Sequence, residues 1–187
     1  MTSHPHSRKT PPMITVFGGA RCLPETLEYK QALQLGRSLA EAGYTVCTGG
    51  YAGVMEAISR GAHEVDGHVV GVTLSQLKGN PNAFLKETWP TDDFYARLQK
   101  LIQSSVAYMA LRGGMGTVTE ISLVWNKLYT GVIPPRPLIL IGDCWPPIVE
   151  AFKHNLVVSD ADVNLVQCVA TVEQAMEILD QWSFKEE

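Results

Sequence analysis

From Met13 onward the chain alternates short apolar runs with longer amphipathic stretches, a rhythm that predicts strands separated by helices. Met13-Ile14-Thr15-Val16-Phe17 reads as a first strand, stopped by Gly18-Gly19. A helix follows over about residues 25–42, carrying Leu33, Leu35 and Leu39, with Gly43 just past its end. A strand at 44–48, a helix at 53–64 and a strand at 68–73 continue the alternation. Residues 74–90 interrupt it, because Gly79-Asn80-Pro81-Asn82 suits turns; this stretch is expected to leave the fold as a loop that helps select a ligand. Next come a helix capped by Asp92 or Asp93 and running to about Gln103, a buried strand at 105–111 and a helix at 117–129. A strand at 138–141, a helix at 146–155, a short strand near 165–169 and a helix at 172–182 complete the pattern. This order predicts an α/β domain: a doubly wound, Rossmann-like, mostly parallel sheet of about six or seven strands with helices on both faces.

A chain of 187 residues suits one such domain over 13–187, after a polar tail at 1–12 that lacks the apolar stretch of a secretory signal. With 45% hydrophobic and 18% charged residues, disorder is excluded, and no apolar run approaches the ~18 residues of a membrane span. A net charge of −4 argues against a general nucleic-acid binder. Cys22, Cys47, Cys144 and Cys168 form no C-x-x-C pair, which removes zinc-ribbon and thioredoxin readings and suits buried thiols in a reducing cytoplasm.

In a doubly wound sheet ligands bind beyond the C-terminal strand ends, and three strand-to-helix turns there are rich in glycine. They are Gly18-Gly19-Ala20-Arg21, Gly49-Gly50-Tyr51-Ala52-Gly53 and Gly113-Gly114-Met115-Gly116-Thr117. Glycine lets an anion approach backbone amides at a helix start, but tight turns need glycine for their own geometry too. Neither the phosphate-loop lysine nor a third dinucleotide glycine is present, position 119 being Thr. Thr117-Val118-Thr119-Glu120 reads either as a capping box or as a carboxylate at the lip of a phosphate site. Arg97 borders the stripe of Phe94, Leu98, Leu101 and Ile102, and either snorkels to solvent or serves the site.

Gly49-Gly50-Tyr51-Ala52-Gly53-Val54-Met55-Glu56-Ala57, with Arg60-Gly61-Ala62, and Arg112-Gly113-Gly114-Met115-Gly116-Thr117-Val118-Thr119-Glu120 resemble the two signature segments of the LOG ("lonely guy") family. Members of that family are nucleoside 5′-monophosphate phosphoribohydrolases, often labelled lysine-decarboxylase-like. The resemblance spans about Met13 to Leu179. It implies hydrolysis of AMP or a cytokinin-type AMP to free base and ribose 5-phosphate, with no metal and no redox cofactor, in a protein that pairs at least as a homodimer. It implies a substrate site made by Gly18, Gly19, Arg21, Gly49, Gly50, Gly53, Met55, Glu56, Arg112, Gly113, Gly114, Gly116 and Thr117, with Arg97 and Glu120 catalytic.

Two positions depart from the family pattern: Arg112 replaces a proline, and Leu98 replaces the lysine that follows the helix arginine, Lys100 being the nearest lysine beyond. A non-catalytic nucleotide or cofactor carrier on the same fold is the competing expectation. Pyridoxal-dependent decarboxylation is not expected, since no lysine stands in the three glycine turns. Val124, Trp125 and Leu128 are expected to serve either the core or an interface between copies.

Overall fold

A computed structural model describes residues 11–182, so of the expected tail only Pro11 and Pro12 fall within it. Seven strands, β1 (Met13–Phe17), β2 (Thr45–Thr48), β3 (Val69–Leu74), β4 (Glu87–Thr91), β5 (Ala107–Ala110), β6 (Leu138–Ile141) and β7 (Gln167–Val169), form one sheet in the order β4-β3-β2-β1-β5-β6-β7. Every neighbouring pair is parallel, with Thr15 of β1 opposite both Cys47 of β2 and Tyr108 of β5. The helices are α1 (Leu27–Glu41), α2 (Val54–His63), α3 (Phe94–Gln103), α4 (Met115–Tyr129), α5 (Trp145–Asn155), α6 (Asp160–Val163) and α7 (Val172–Gln181).

A parallel sheet covered on both faces needs strands that are apolar throughout, and β6 shows how the two-residue period divides them. Ile139 and Ile141 join the core under α1, α2 and α7, while Leu138 and Leu140 join the core under α3, α4 and α5. Helices α1 and α2 touch backbone to backbone: a Cβ on Gly36 would lie 2.1 Å from the Ile58 carbonyl oxygen, and one on Gly61 1.9 Å from that of Leu33. Gly43, with φ +85°, ends α1 as its sequence position predicts.

The expected excursion over 74–90 is partly overturned, because its last residues form β4 at the sheet edge. Ser75 N donates to Thr91 O at 2.9 Å, which aims the main-chain groups of Thr91 at β3 and turns those of Pro90 outward. The missing proline N–H therefore falls on the open edge, where the ladder does not use it. Helix α4 begins at Met115, two residues ahead of the expected start at Thr117. On α3, Phe94 is exposed rather than part of the buried stripe, and Arg97 is buried at 7% exposure instead of snorkelling. Val124 enters the core, whereas Trp125 stacks on Phe152 and donates to the Asp162 carbonyl. All four cysteines are free, and only Cys47 is fully buried. Among the described residues no helix is long and apolar enough to cross a membrane.

Candidate active site

Strand order reverses between β1 and β5, and there the three glycine turns meet. Gly19 N donates to Arg112 O at 3.2 Å, and Val54 N donates to Gly19 O at 2.9 Å, so the first turn is tied to both others. Gly53 has φ +72°, and a Cβ there would lie 2.5 Å from Gly19 O. Side chains on Gly18, Gly49 and Gly113 would strike Val54, Arg97 and Thr117 at 2.2, 2.2 and 2.1 Å. Packing of the chain against itself accounts for those four glycines.

It does not account for Gly114 and Gly116, where an added Cβ would meet nothing within 4 Å. These two open glycines stand at the start of α4, whose cap residue Gly114 offers no side-chain hydrogen bond. Of the two readings of Thr117-Val118-Thr119-Glu120, the capping box does not form, since Thr117 lies inside the helix and packs back on Gly113. The amides of Met115, Gly116 and Thr117 are left without intrahelical partners, at the positive end of the helix dipole. Of this helix start, Gly114 and Met115 line a cavity of about 720 Å³, together with Gly19, Arg21, Val54, Arg112 and Gly113 among others. Because the Gly19 amide is committed to Arg112 O, the first turn braces this cavity rather than offering that donor to it.

One helical turn beyond Thr117, Glu120 faces Arg97 across 3.5 Å, the two side chains being 12% and 8% exposed. Arg97 Nε donates to Val72 O at 3.0 Å, its Nη2 to Gly49 O at 3.4 Å, and its guanidinium lies 6.0 Å from the centre of the Tyr51 ring. These bonds fix the guanidinium at the ends of β2 and β3. Burial raises the Glu120 carboxyl to about 7, against the downward pull of Arg97. A carboxyl that exchanges its proton near neutrality is suited to general acid–base work.

The remaining expected site residues separate. Met55 is buried, its sulfur 2.7 Å from where a Gly49 Cβ would sit, close to Arg97. The Glu56 carboxylate instead accepts from Tyr29 of α1 at 3.4 Å. Arg112 pairs with Glu28 of α1 at 3.3 Å on the cavity wall. Lys100 does not replace the missing lysine, for its ammonium lies 5.1 Å from the Trp89 ring centre, while Leu98 points into the protein. Gly50, with φ +80°, is engaged by the following loop: Asn82 N donates to Gly50 O, and Asn82 Nδ2 to Tyr51 O and Ser59 Oγ. The Tyr51 hydroxyl donates to Leu74 O at 3.0 Å and accepts from Leu74 N at 2.9 Å. Sequence reasoning missed Tyr51, Asn82 and Glu28 as parts of the site; only the place of Tyr51 within a glycine turn marked it.

Comparison with known proteins bears on the family and the fold. A cytokinin riboside 5′-monophosphate phosphoribohydrolase of Rhodococcoides fascians is 29% identical over 157 residues, 81% of this chain and 79% of that one. An uncharacterized protein of Archaeoglobus fulgidus is 37% identical over 114 residues, 61% of this chain and 74% of the other. Among solved structures, the molybdenum cofactor binding protein of Rippkaea orientalis superposes with a TM-score of 0.74 at 27% identity, covering 91% of this chain and 96% of its own. The molybdenum cofactor carrier protein of Chlamydomonas reinhardtii gives 0.72 at 26%, covering 91% and 97%. The model of the SLOG cluster4 family matches residues 11–164, and the chain belongs to that family.

Proposed function

We propose that the protein hydrolyses the N-glycosidic bond of a nucleoside 5′-monophosphate, AMP or a cytokinin-type N6-modified AMP, to free base and ribose 5-phosphate. The observation that carries this reading is the buried Arg97–Glu120 pair, one helical turn from an uncapped helix start whose cap glycine, Gly114, lines a cavity. The 5′-phosphate takes the amides of Met115, Gly116 and Thr117, with Arg21 and Arg112 supplying charge. That leaves the ribose toward Glu120. As the bond from C1′ to the base nitrogen breaks, positive charge grows on the sugar, and the Glu120 carboxylate stabilises it. The same carboxylate accepts a proton from the water whose oxygen bonds to C1′, and that proton passes on to the nitrogen of the departing base, which regenerates the carboxylate. Arg97 keeps its charge throughout and positions Glu120. The similarity to enzymes named as phosphoribohydrolases supports this reading.

Incubating the pure protein with AMP and N6-modified AMP and separating the products by chromatography tests it, release of free base being expected. Binding of these nucleotides with no base released would overturn hydrolysis and favour a second reading, a nucleotide or cofactor carrier. Arg112 in the family's proline position, the absent lysine beside Arg97 and the likeness to molybdenum cofactor binding structures favour that alternative.

A further inference from the structure

Arg97 rests in a cradle of unequal stiffness. Val72 O, which accepts from its Nε at 3.0 Å, belongs to β3 inside the sheet. The other two partners, Gly49 O and the Tyr51 ring, stand in a turn whose Gly50 and Gly53 have φ +80° and +72°. Glycine leaves such a stretch more backbone freedom than any other residue, so the turn must be fixed from outside if it is to hold a guanidinium in place. Gly50 N donates to Thr48 Oγ1 at 3.0 Å, which anchors the near side of the turn to β2. The far side is anchored by Asn82, in the loop after β3.

Asn82 commits its whole side-chain amide to this task. Its N donates to Gly50 O at 2.9 Å, its Nδ2 to Tyr51 O at 3.1 Å and to Ser59 Oγ at 3.3 Å, and its Oδ1 accepts from Phe84 N at 3.1 Å. The fully buried Ser59 passes the contact on, donating to Met55 O at 2.8 Å, and the Met55 sulfur packs beside Gly49. Phe84 pins the same loop to α2, its ring centre 5.9 Å from the Arg60 guanidinium carbon and 5.9 Å from the His63 ring centre. Asn82 stands outside the lining of the glycine cavity, so its part in the reaction runs through what it holds. We propose that Asn82 is a positioning residue: by clamping the Gly49–Tyr51 turn it keeps the Arg97 guanidinium on Gly49 O and over Tyr51, and so 3.5 Å from Glu120 instead of closed on that carboxylate. This inference rests on the roles given to Arg97 and Glu120 in the proposed function.

With the clamp cut, Arg97 draws nearer to Glu120 and water reaches the pair, and both changes favour the charged carboxylate and make it a weaker base. Among the described residues, Arg97 of α3 and the Cys47 thiol of β2 are the ionisable groups that face Glu120, and Cys47, pushed up to about 12 by burial, stays neutral near pH 7. Carboxyl-carbon NMR of the full chain with labelled glutamate follows Glu120 without any substrate, its signal assigned by its loss in Glu120→Gln. In Asn82→Ala the titration near pH 7 should move down toward the ordinary carboxylate range. Base release from AMP should show kcat lowered about 10–100-fold, with KM changed by less than about threefold. Asn82→Ser keeps an acceptor for Phe84 N, and with it the loop's own turn, but is too short to bridge Tyr51 O and Ser59 Oγ, so it should behave as Asn82→Ala does. It also supplies both readouts if Asn82→Ala does not fold. Phe84→Ala frees the loop from α2 without reaching the glycine turn, and should keep the wild-type titration and a kcat within about threefold. A Glu120 titration unmoved in folded Asn82→Ala or Asn82→Ser, a wild-type rate in Asn82→Ser, or an equal fall in Phe84→Ala would overturn the proposal. Absence of base release by the wild type would instead overturn hydrolysis, and the carboxyl titration would then decide by itself whether Asn82 holds the pair.

Discussion

Arg97 and Glu120 lie 3.5 Å apart, nearly closed off from solvent, and the carboxyl is nonetheless raised to about 7. A guanidinium at that distance ordinarily lowers a carboxyl. Here loss of water outweighs the attraction, because Arg97 spends its Nε on Val72 and its Nη2 on Gly49 instead of closing a short two-point contact with Glu120.

The raised carboxyl makes stability depend on pH. Between about pH 4.5 and 7 the native state holds a proton that the unfolded chain has already lost, so the contribution of this group falls as pH rises through that window. The loss is on the order of 3 kcal/mol. Denaturant unfolding of wild type and Glu120→Gln at pH 5 and pH 8 measures it, the variant being expected to show the smaller decline.

The same substitution tests the chemistry. Glu120→Gln keeps the shape of the side chain but cannot take up a proton, and base release is expected to fall by about 10²–10⁴-fold with the fold retained. Release at the wild-type rate would remove Glu120 from the reaction.

Two neighbouring glycines should respond in opposite ways. Gly113→Ala places a methyl 2.1 Å from Thr117 Oγ1 and should destabilise the protein by about 1–3 kcal/mol. Gly116→Ala meets open space, so stability should hold or rise by up to about 1 kcal/mol while nucleotide affinity drops. Thermal unfolding and titration with AMP, run side by side, separate the two effects.

Tyr51→Phe removes a hydroxyl that bridges both main-chain groups of Leu74. A stability loss of about 1–3 kcal/mol is expected. Because Leu74 leads into the loop after β3, that loop should loosen, and a higher KM with a smaller change in kcat is the kinetic signature to measure.

Arg112→Ala breaks an ion pair whose arginine is 70% exposed, so stability should change by less than about 1 kcal/mol. Phosphate-bearing ligands should bind more weakly, and with a shallower dependence on salt. Titrations at two ionic strengths test this.

Much of this was legible from the chain. Ile14, Leu35, Leu101 and Leu138 sit in periodic apolar patterns, and burial follows from the period. The glycine turns announced themselves too, because few other residues permit such backbone. What was not legible depended on contacts distant in sequence. Arg97 borders its helix stripe, and only the carbonyls of Val72 and Gly49 explain its burial. Glu-Thr-Trp-Pro-Thr carries a proline and little apolar character, so β4 became recognisable only beside β3. Asn82 and Glu28 have roles set by partners that local sequence does not identify.

The hydrogen bonds joining Gly19 to Arg112 and Val54 give the three turns a shared fate. A ligand arriving at α4 meets donors whose positions were settled during folding, so little ordering remains to be done on binding. The converse is a cooperative vulnerability: substitutions in different turns, each tolerable alone, should depart from additivity when combined, since all disturb one mechanical unit.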